Sequence, residues 1–369
     1  MSRTLLVKVV FIRLFATMIV GPFPSKAQSP AAPAPTPTPL PARSLVARAQ
    51  SPDAIYDYKA DAAIVYRLVG EAVMSVTGEG SVSAAWGSLV KPSDIVGIKI
   101  CTNGAPLFST RPEVVQAIAD GLHQAGVPWE NIVVFDRAEG LLKRAGFRSR
   151  PGSYRVLWTE GNYDPQVAIS SPLAGQLIYG DLDFMGKNLP NLKEELQVND
   201  QKKRLGNISN ESHISKILTK VVTKVVNVPV LSDNFYCGLS GALFNMTVQN
   251  VDNWRRLVQP PESGDPSIPE IYADPRISEK VVITIMDGLV ALYAGGPFGD
   301  ANYAIQFGTI YASKDPVAID ALACKRLDKW RLDANMDSVS KTAKYVQTAT
   351  ALELGNSDPN KIEVRDLRP

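Results

Sequence analysis

The chain has 369 residues, 45% of them hydrophobic, with 39 Lys and Arg against 37 Asp and Glu. That length and apolar fraction can bury a sizeable core and exclude disorder throughout. A net charge of +2 gives no electrostatic footing for DNA or RNA, so no nucleic-acid partner is expected. The two histidines, His123 and His213, cannot build a three-histidine zinc site or a chain of imidazole proton carriers.

Arg3, Lys8 and Arg13 precede an uncharged run from Leu14 to Phe23, followed by Ser25, Lys26 and Ala27. A basic start, a short apolar segment and small residues before a break are expected to form a secretory signal peptide over residues 1–27, cleaved near Ala27. The mature chain is then periplasmic or secreted. The apolar run falls far short of the ~20 residues a bilayer core requires, so no stable membrane insertion is expected after cleavage. Residues 28–44 place a proline at nearly every second position from Pro33 to Pro41 among Ala and Thr. Such a stretch is a semi-rigid linker to a folded domain over 45–369. Cys101, Cys237 and Cys324 lie far apart and form no short-range group. Isolated buried thiols are expected, one disulfide stays open as an alternative, and no iron–sulfur cluster is expected.

Apolar residues at helical spacing from Ile64 to Val76 predict a helix packed on a core. The β-branched run Ile95 to Cys101 predicts a buried strand, and a loop from Thr102 to Arg111 leads to a helix that starts at Pro112 and ends near Gly126. A second strand, Asn131 to Phe135, closes on Asp136. Strand, loop, helix and strand in that order predict a βαβ unit, and hence a mixed, mainly parallel sheet flanked by helices. Ligands of such sheets sit beyond the carboxyl ends of the strands, where Cys101 to Asn103 and Asp136 with Arg137 fall.

From Gly152 to Asp200 the pattern predicts short strands and loops, and the charged stretch from Lys193 to Arg204 a solvated surface. Ile214 to Val226 predicts a short helix feeding a strand, with the segment Asn227 to Leu231 beyond it, and Gly238 to Asn245 a loop opening into a helix. A strand over Lys280 to Met286 is expected to end at Asp287 and Gly288. Gly295, Gly296 and Gly299 then form a loop. Another strand, Thr309 to Ala312, leads to Asp315 and Pro316, a helix-start pair.

Several of these segments match motifs in a fixed order: Val96-Gly97-Ile98-Lys99-Ile100, Asn227-Val228-Pro229-Val230-Leu231, Gly241-Ala242-Leu243-Phe244-Asn245, Thr284-Ile285-Met286-Asp287-Gly288, and Ser313-Lys314-Asp315-Pro316-Val317-Ala318-Ile319-Asp320. In them the chain resembles the domain of unknown function 362 family. The resemblance implies one α/β domain and supplies no reaction. Some members of that family look like ferredoxin fusions with clustered cysteines, which this sequence lacks. Where the family often has Lys and His after the Asn-x-Pro-x-Leu strand, this chain has Ser232, Asp233 and Asn234.

The candidate catalytic residues are Lys99, Asp136 and Asp287. Asn103, Asn234, Asn245, Gly295, Gly296 and Asp315 are candidate ligand-binding residues, with Asp300 beside them. Converging carboxylates would suit Mg²⁺ or Ca²⁺. Lys99, in an apolar strand, needs either a lowered pKa or a carboxylate partner. His123 and His213 are expected at the surface or in caps. Two functions fit this set: an exported enzyme acting on a small polar or anionic substrate, or an exported accessory protein that binds a small molecule or metal without turnover. Oligomeric state is left open.

Overall fold

The computed structural model describes residues 43–169, 179–181, 207–209, 211–258 and 263–368. The signal peptide, most of the proline linker and the charged stretch from Lys193 to Arg204 lie outside them. The first strand, β1, covers Ser44–Gln50. The helix α1 covers Ala62–Thr77; the Asp61 side chain caps it by accepting from Ile64 N, and Gly78, at φ 77°, closes it with an N–H to Met74 O. This pairing of an N-cap aspartate with a left-handed glycine is what fixes both ends. Val65, Leu68, Val69, Ala72 and Val73 form its buried stripe.

The expected βαβ unit is present. Strand β2 is Val96–Ile100, helix α2 is Pro112–Gln124 with proline in its first turn, and strand β3 is Ile132–Asp136. After the short helix α3, Glu139–Arg144, strand β4 covers Arg155–Trp158. The stretch from Ser212 to Val228 is a strand at Ser212–Ser215, a single π-helical turn at Ile217–Val221 and strand β5 at Lys224–Val228. Pro229, which has no N–H to donate, interrupts the ladder, and β6 resumes at Val230–Asn234. Helix α4 is Ala242–Met246.

Strand β7 runs over Val281–Leu292, six residues past Met286. This corrects the expectation that the strand ends at Asp287 and Gly288. Gly288 does not turn the chain: it lies against the carbonyl of Thr309, and the register against β8, Ala304–Ser313, shifts between Gly288 and Val290. The glycine marks a bulge that the strand passes through. Helix α5 is Pro316–Asp333, and β9 is Ile362–Leu367.

The main path of the sheet is β9-β1-β8-β7-β5-β2-β3-β4, with β6 branching from β7. From β7 to β4 the neighbours are parallel, while β8 pairs antiparallel with both β7 and β1. The sheet is therefore mixed and mainly parallel, with helices on both faces. Along β2 and β3, alternate residues enter different cores: Ile98, Ile100 and Val134 pack with α1 and α2, while Val133 and Phe135 pack on the side of α4 and α5. Each such buried Val or Ile contributes on the order of 1.5–3 kcal/mol. Lys99 points to the α4 side. No helix among the described residues is long and apolar enough to cross a membrane.

Candidate functional site

Lys99 is wholly buried and Asp136 nearly so, at 0% and 1% side-chain exposure, with Nζ 2.7 Å from Asp136 Oδ1. The ammonium group has three hydrogens and gives them to three acceptors: Ile100 O at 2.7 Å, Asp136 Oδ1 at 2.7 Å and Asn245 Oδ1 at 3.0 Å. The second oxygen of Asp136 accepts from Thr102 N at 2.7 Å and Thr102 Oγ1 at 2.5 Å. Asn245 Nδ2 donates to Lys99 O and to Asn227 Oδ1, and Asn227 Nδ2 donates to Ala242 O and Thr284 Oγ1. Four of the five motifs thus meet in one satisfied polar network under the strand ends.

Asp287 does not join it. In mid-strand, its carboxylate accepts from Arg111 N at 2.8 Å and Leu289 N at 3.0 Å, and burial raises its pKa. Asn234 is buried in β6 and holds Ser240 Oγ and Tyr236 N. Asn103 is half-buried in the turn after β2. The glycine loop folds on its own chain: a side chain at Gly295 would meet Asp300 Cβ at 2.7 Å, and one at Gly296 would collide with the carbonyl of Asp233. Asp300 caps the turn at Ala301–Tyr303. Asp315 is the N-cap of α5, accepting from Val317 N and Ala318 N with one oxygen and from Ser44 Oγ and Asn356 N with the other. Its carboxylate is fully engaged.

Lys99, Asp136 and Asn245 therefore come together, and Asp287, Asp300 and Asp315 are each spent on separate backbone donors. Among the described residues no three His, Cys, Asp or Glu side chains are grouped to hold a metal ion. Four hollows, of about 250 to 550 Å³, take in Asp315 and none of the other candidate residues.

One of these hollows is a groove of about 400 Å³ between α2 and the segment Gly146 to Tyr154, lined by Tyr66, Glu113, Asp120, Arg148, Arg150 and Tyr154 among others. Arg148 and Arg150 are exposed. The cations around them are engaged, Lys143 with Glu139 and Arg144 with Ala105 O. The sequence carries a local signal for this groove outside every motif. From Gly140 to Thr159 there are five Lys or Arg and no acidic residue, a local excess invisible in a net charge of +2. Arg148 also lines an adjoining hollow of about 250 Å³ beside Phe147 and Trp158.

Three further titratable groups, none of them a candidate site residue, are buried. His213 is buried, not at the surface or in a cap as expected, because Asp252 accepts from its backbone N–H and pairs with Nδ1 at 3.1 Å, which raises the imidazole pKa. Asp233 accepts from Gly296 N at 2.8 Å and lies 3.6 Å from Arg331, and burial pushes its pKa up to about 6. Asp320 receives Ala242 N and Leu243 N at the start of α4, and burial pushes it to about 7. His123 is exposed, with Nδ1 against Val127 O and its ring stacked 4.4 Å from Trp129.

Fold and site define an α/β protein with a mainly parallel sheet and a buried polar core at the strand ends. Residues 183–325 match the model of the family described as domain of unknown function (DUF362), so the resemblance drawn from the motifs is shown over that stretch; Val96 to Ile100 lies before it. No curated protein matches. A crystal structure of a Thermotoga maritima protein, solved by the Northeast Structural Genomics Consortium, aligns with 75% of this chain at 11% identity and a TM-score of 0.37. The aligned part spans 60% of that protein's length, and a likeness at this level carries no argument.

Proposed function

We propose that the protein is an exported accessory protein that binds a small anionic molecule in the α2 groove and does not use Lys99 as a catalyst. The observation that carries this reading is the state of Lys99: all three ammonium hydrogens are bonded inside a site closed to solvent. A nucleophilic or proton-transferring lysine needs a free lone pair and a path to substrate. Arg148 and Arg150, by contrast, line an open groove and can meet a carboxylate or phosphate with paired N–H donors. Glu113 and Asp120 on the opposite wall favour an anion that also carries a donor or an amine. Export rests on the basic and apolar pattern of residues 1–27, and the mature chain is expected to begin at Gln28.

A thermal-shift screen of small carboxylates and phosphates tests the reading. A ligand that raises Tm in the native chain and not in Arg148→Ala/Arg150→Ala supports it. No stabilisation by any anion, or equal stabilisation of both proteins, refutes it.

A further inference from the structure

A second hollow lies on the other side of the molecule's sheet path, and its chemistry differs. Its volume is about 550 Å³, and it runs between α5 and the three strands β8, β1 and β9. Leu322, Lys325, Arg326, Lys329 and Leu332 supply the helical wall. Their spacing of three and four residues puts them on one stripe of α5. The opposite wall is a cross-strand row in which Arg48 is the ladder partner of both Tyr311 and Asp366, with Val364 two residues from Asp366.

The charges in this groove do not cancel. Asp366 is engaged with Arg48 at 2.6 Å. Asp328 is turned to the neighbouring bend, where it accepts from Val339 N at 2.6 Å and from Ser340. Arg326 lies 5.1 Å over the Phe307 ring and 5.6 Å from the Trp330 ring, which holds the guanidinium without neutralising it. Lys325 and Lys329 are exposed one turn apart, and the two carboxylates that line the groove, Asp366 and Asp328, are the ones engaged by Arg48 and by Val339 and Ser340. Beside these cations the surface is apolar: Leu332 is 74% exposed and Val364 37%.

We propose that this groove binds a single anionic amphiphile, an alkyl chain ending in a carboxylate or phosphate. The head group is held by Lys325 and Lys329, and the chain lies over Leu322, Leu332 and Val364. The groove has the size of a small-molecule site. It is a trough between a helix and a sheet edge, which admits one chain, whereas a bilayer surface would meet only its rim. The edge strand β9 itself carries Glu363, Arg365 and Asp366, charges that discourage an added peptide strand. This site is independent of the α2 groove and does not rest on the function proposed for it.

Isothermal titration with sodium dodecanoate, kept below its micelle concentration, tests the inference on the full mature chain. Saturable binding is expected, weakened about tenfold or more in Lys325→Glu/Lys329→Glu and in Leu332→Asp, and reduced by added salt. Acetate, which has the head alone, and dodecyltrimethylammonium, which has the opposite charge, are expected not to bind there. Arg148→Ala/Arg150→Ala is expected to bind dodecanoate as the native chain does. Equal binding of the cationic amphiphile, or unchanged binding by the Lys325→Glu/Lys329→Glu protein, overturns the assignment. So does association with anionic phospholipid vesicles in the absence of any binding of monomeric dodecanoate.

Discussion

Asn245 Oδ1 accepts a hydrogen bond from Lys99 Nζ at 3.0 Å, joining residues 146 positions apart in the chain. With Asp136 it closes a buried ion pair whose worth lies in being complete. Removing one member of such a pair strands the other charge and costs about 3–5 kcal/mol, whereas replacing both by apolar groups of similar volume is often tolerated. Lys99→Met is therefore expected to lower stability by that amount, and Lys99→Met/Asp136→Leu to recover part of it. Urea unfolding followed by circular dichroism checks this. A Lys99→Met protein as stable as the native chain would show that the network is not structural.

Asp320 links two motifs. A β-carbon at Gly241 would collide with its Oδ1, so Gly241→Ala is expected to destabilise the start of α4. Burial pushes the Asp320 pKa up to about 7 and that of Asp233 to about 6, against about 3.9 for an unfolded aspartate. Between those values the folded chain holds protons that the unfolded chain has released. The stability these two groups contribute is expected to fall as pH rises from about 4 to about 7. Asp320→Asn is expected to flatten part of that slope in denaturant midpoints measured across the range. A slope of opposite sign in the native protein would contradict the assignment.

His213 behaves in the same direction for a different reason. Its hydrogen bond to Asp252 raises the imidazole pKa, so its contribution is complete below about 6.5 and is lost as pH rises through the folded value. An NMR titration of the His213 ring is expected to show a midpoint above the ordinary imidazole value of about 6.5, and Asp252→Asn to lower it.

The thiols are expected to be inert. Cys101, Cys237 and Cys324 are unpaired and buried, and burial pushes the Cys101 thiol up to about 12. Only the thiolate reacts. Labelling with iodoacetamide is expected to modify none of the three in the native state and all three in urea.

Much of the fold was legible because its signals are local. Pro112 and Asp315 mark helix starts, Gly126 a helix end, and the β-branched runs mark the central strands. The length of β7 was not legible, because what carries the strand past Gly288 is its pairing with β8, where Val290, Ala291 and Leu292 lie opposite Gln306, Ile305 and Ala304. The candidate residues divide along the same line. Composition could say that Lys99 in an apolar strand needs a partner, and Asp136 is that partner. It could not say that Asp287 and Asp315 are taken by backbone donors, since those come from Arg111 and from Val317, Ala318 and Asn356. Arg148 and Arg150 lie outside every motif, and what joins them to Tyr66 and Glu113 is tertiary packing of α1 and α2 against the segment before β4.

The central claim is that this protein's ligand is held by guanidinium groups in an open groove and not by the buried lysine. Isothermal titration of the mature chain with inorganic phosphate and with a small amino dicarboxylate such as aspartate addresses it most directly. The account predicts saturable binding of at least one of them at low salt, weakened about tenfold or more by Arg148→Ala/Arg150→Ala. Binding that survives this double substitution, or no binding of either anion, would contradict it.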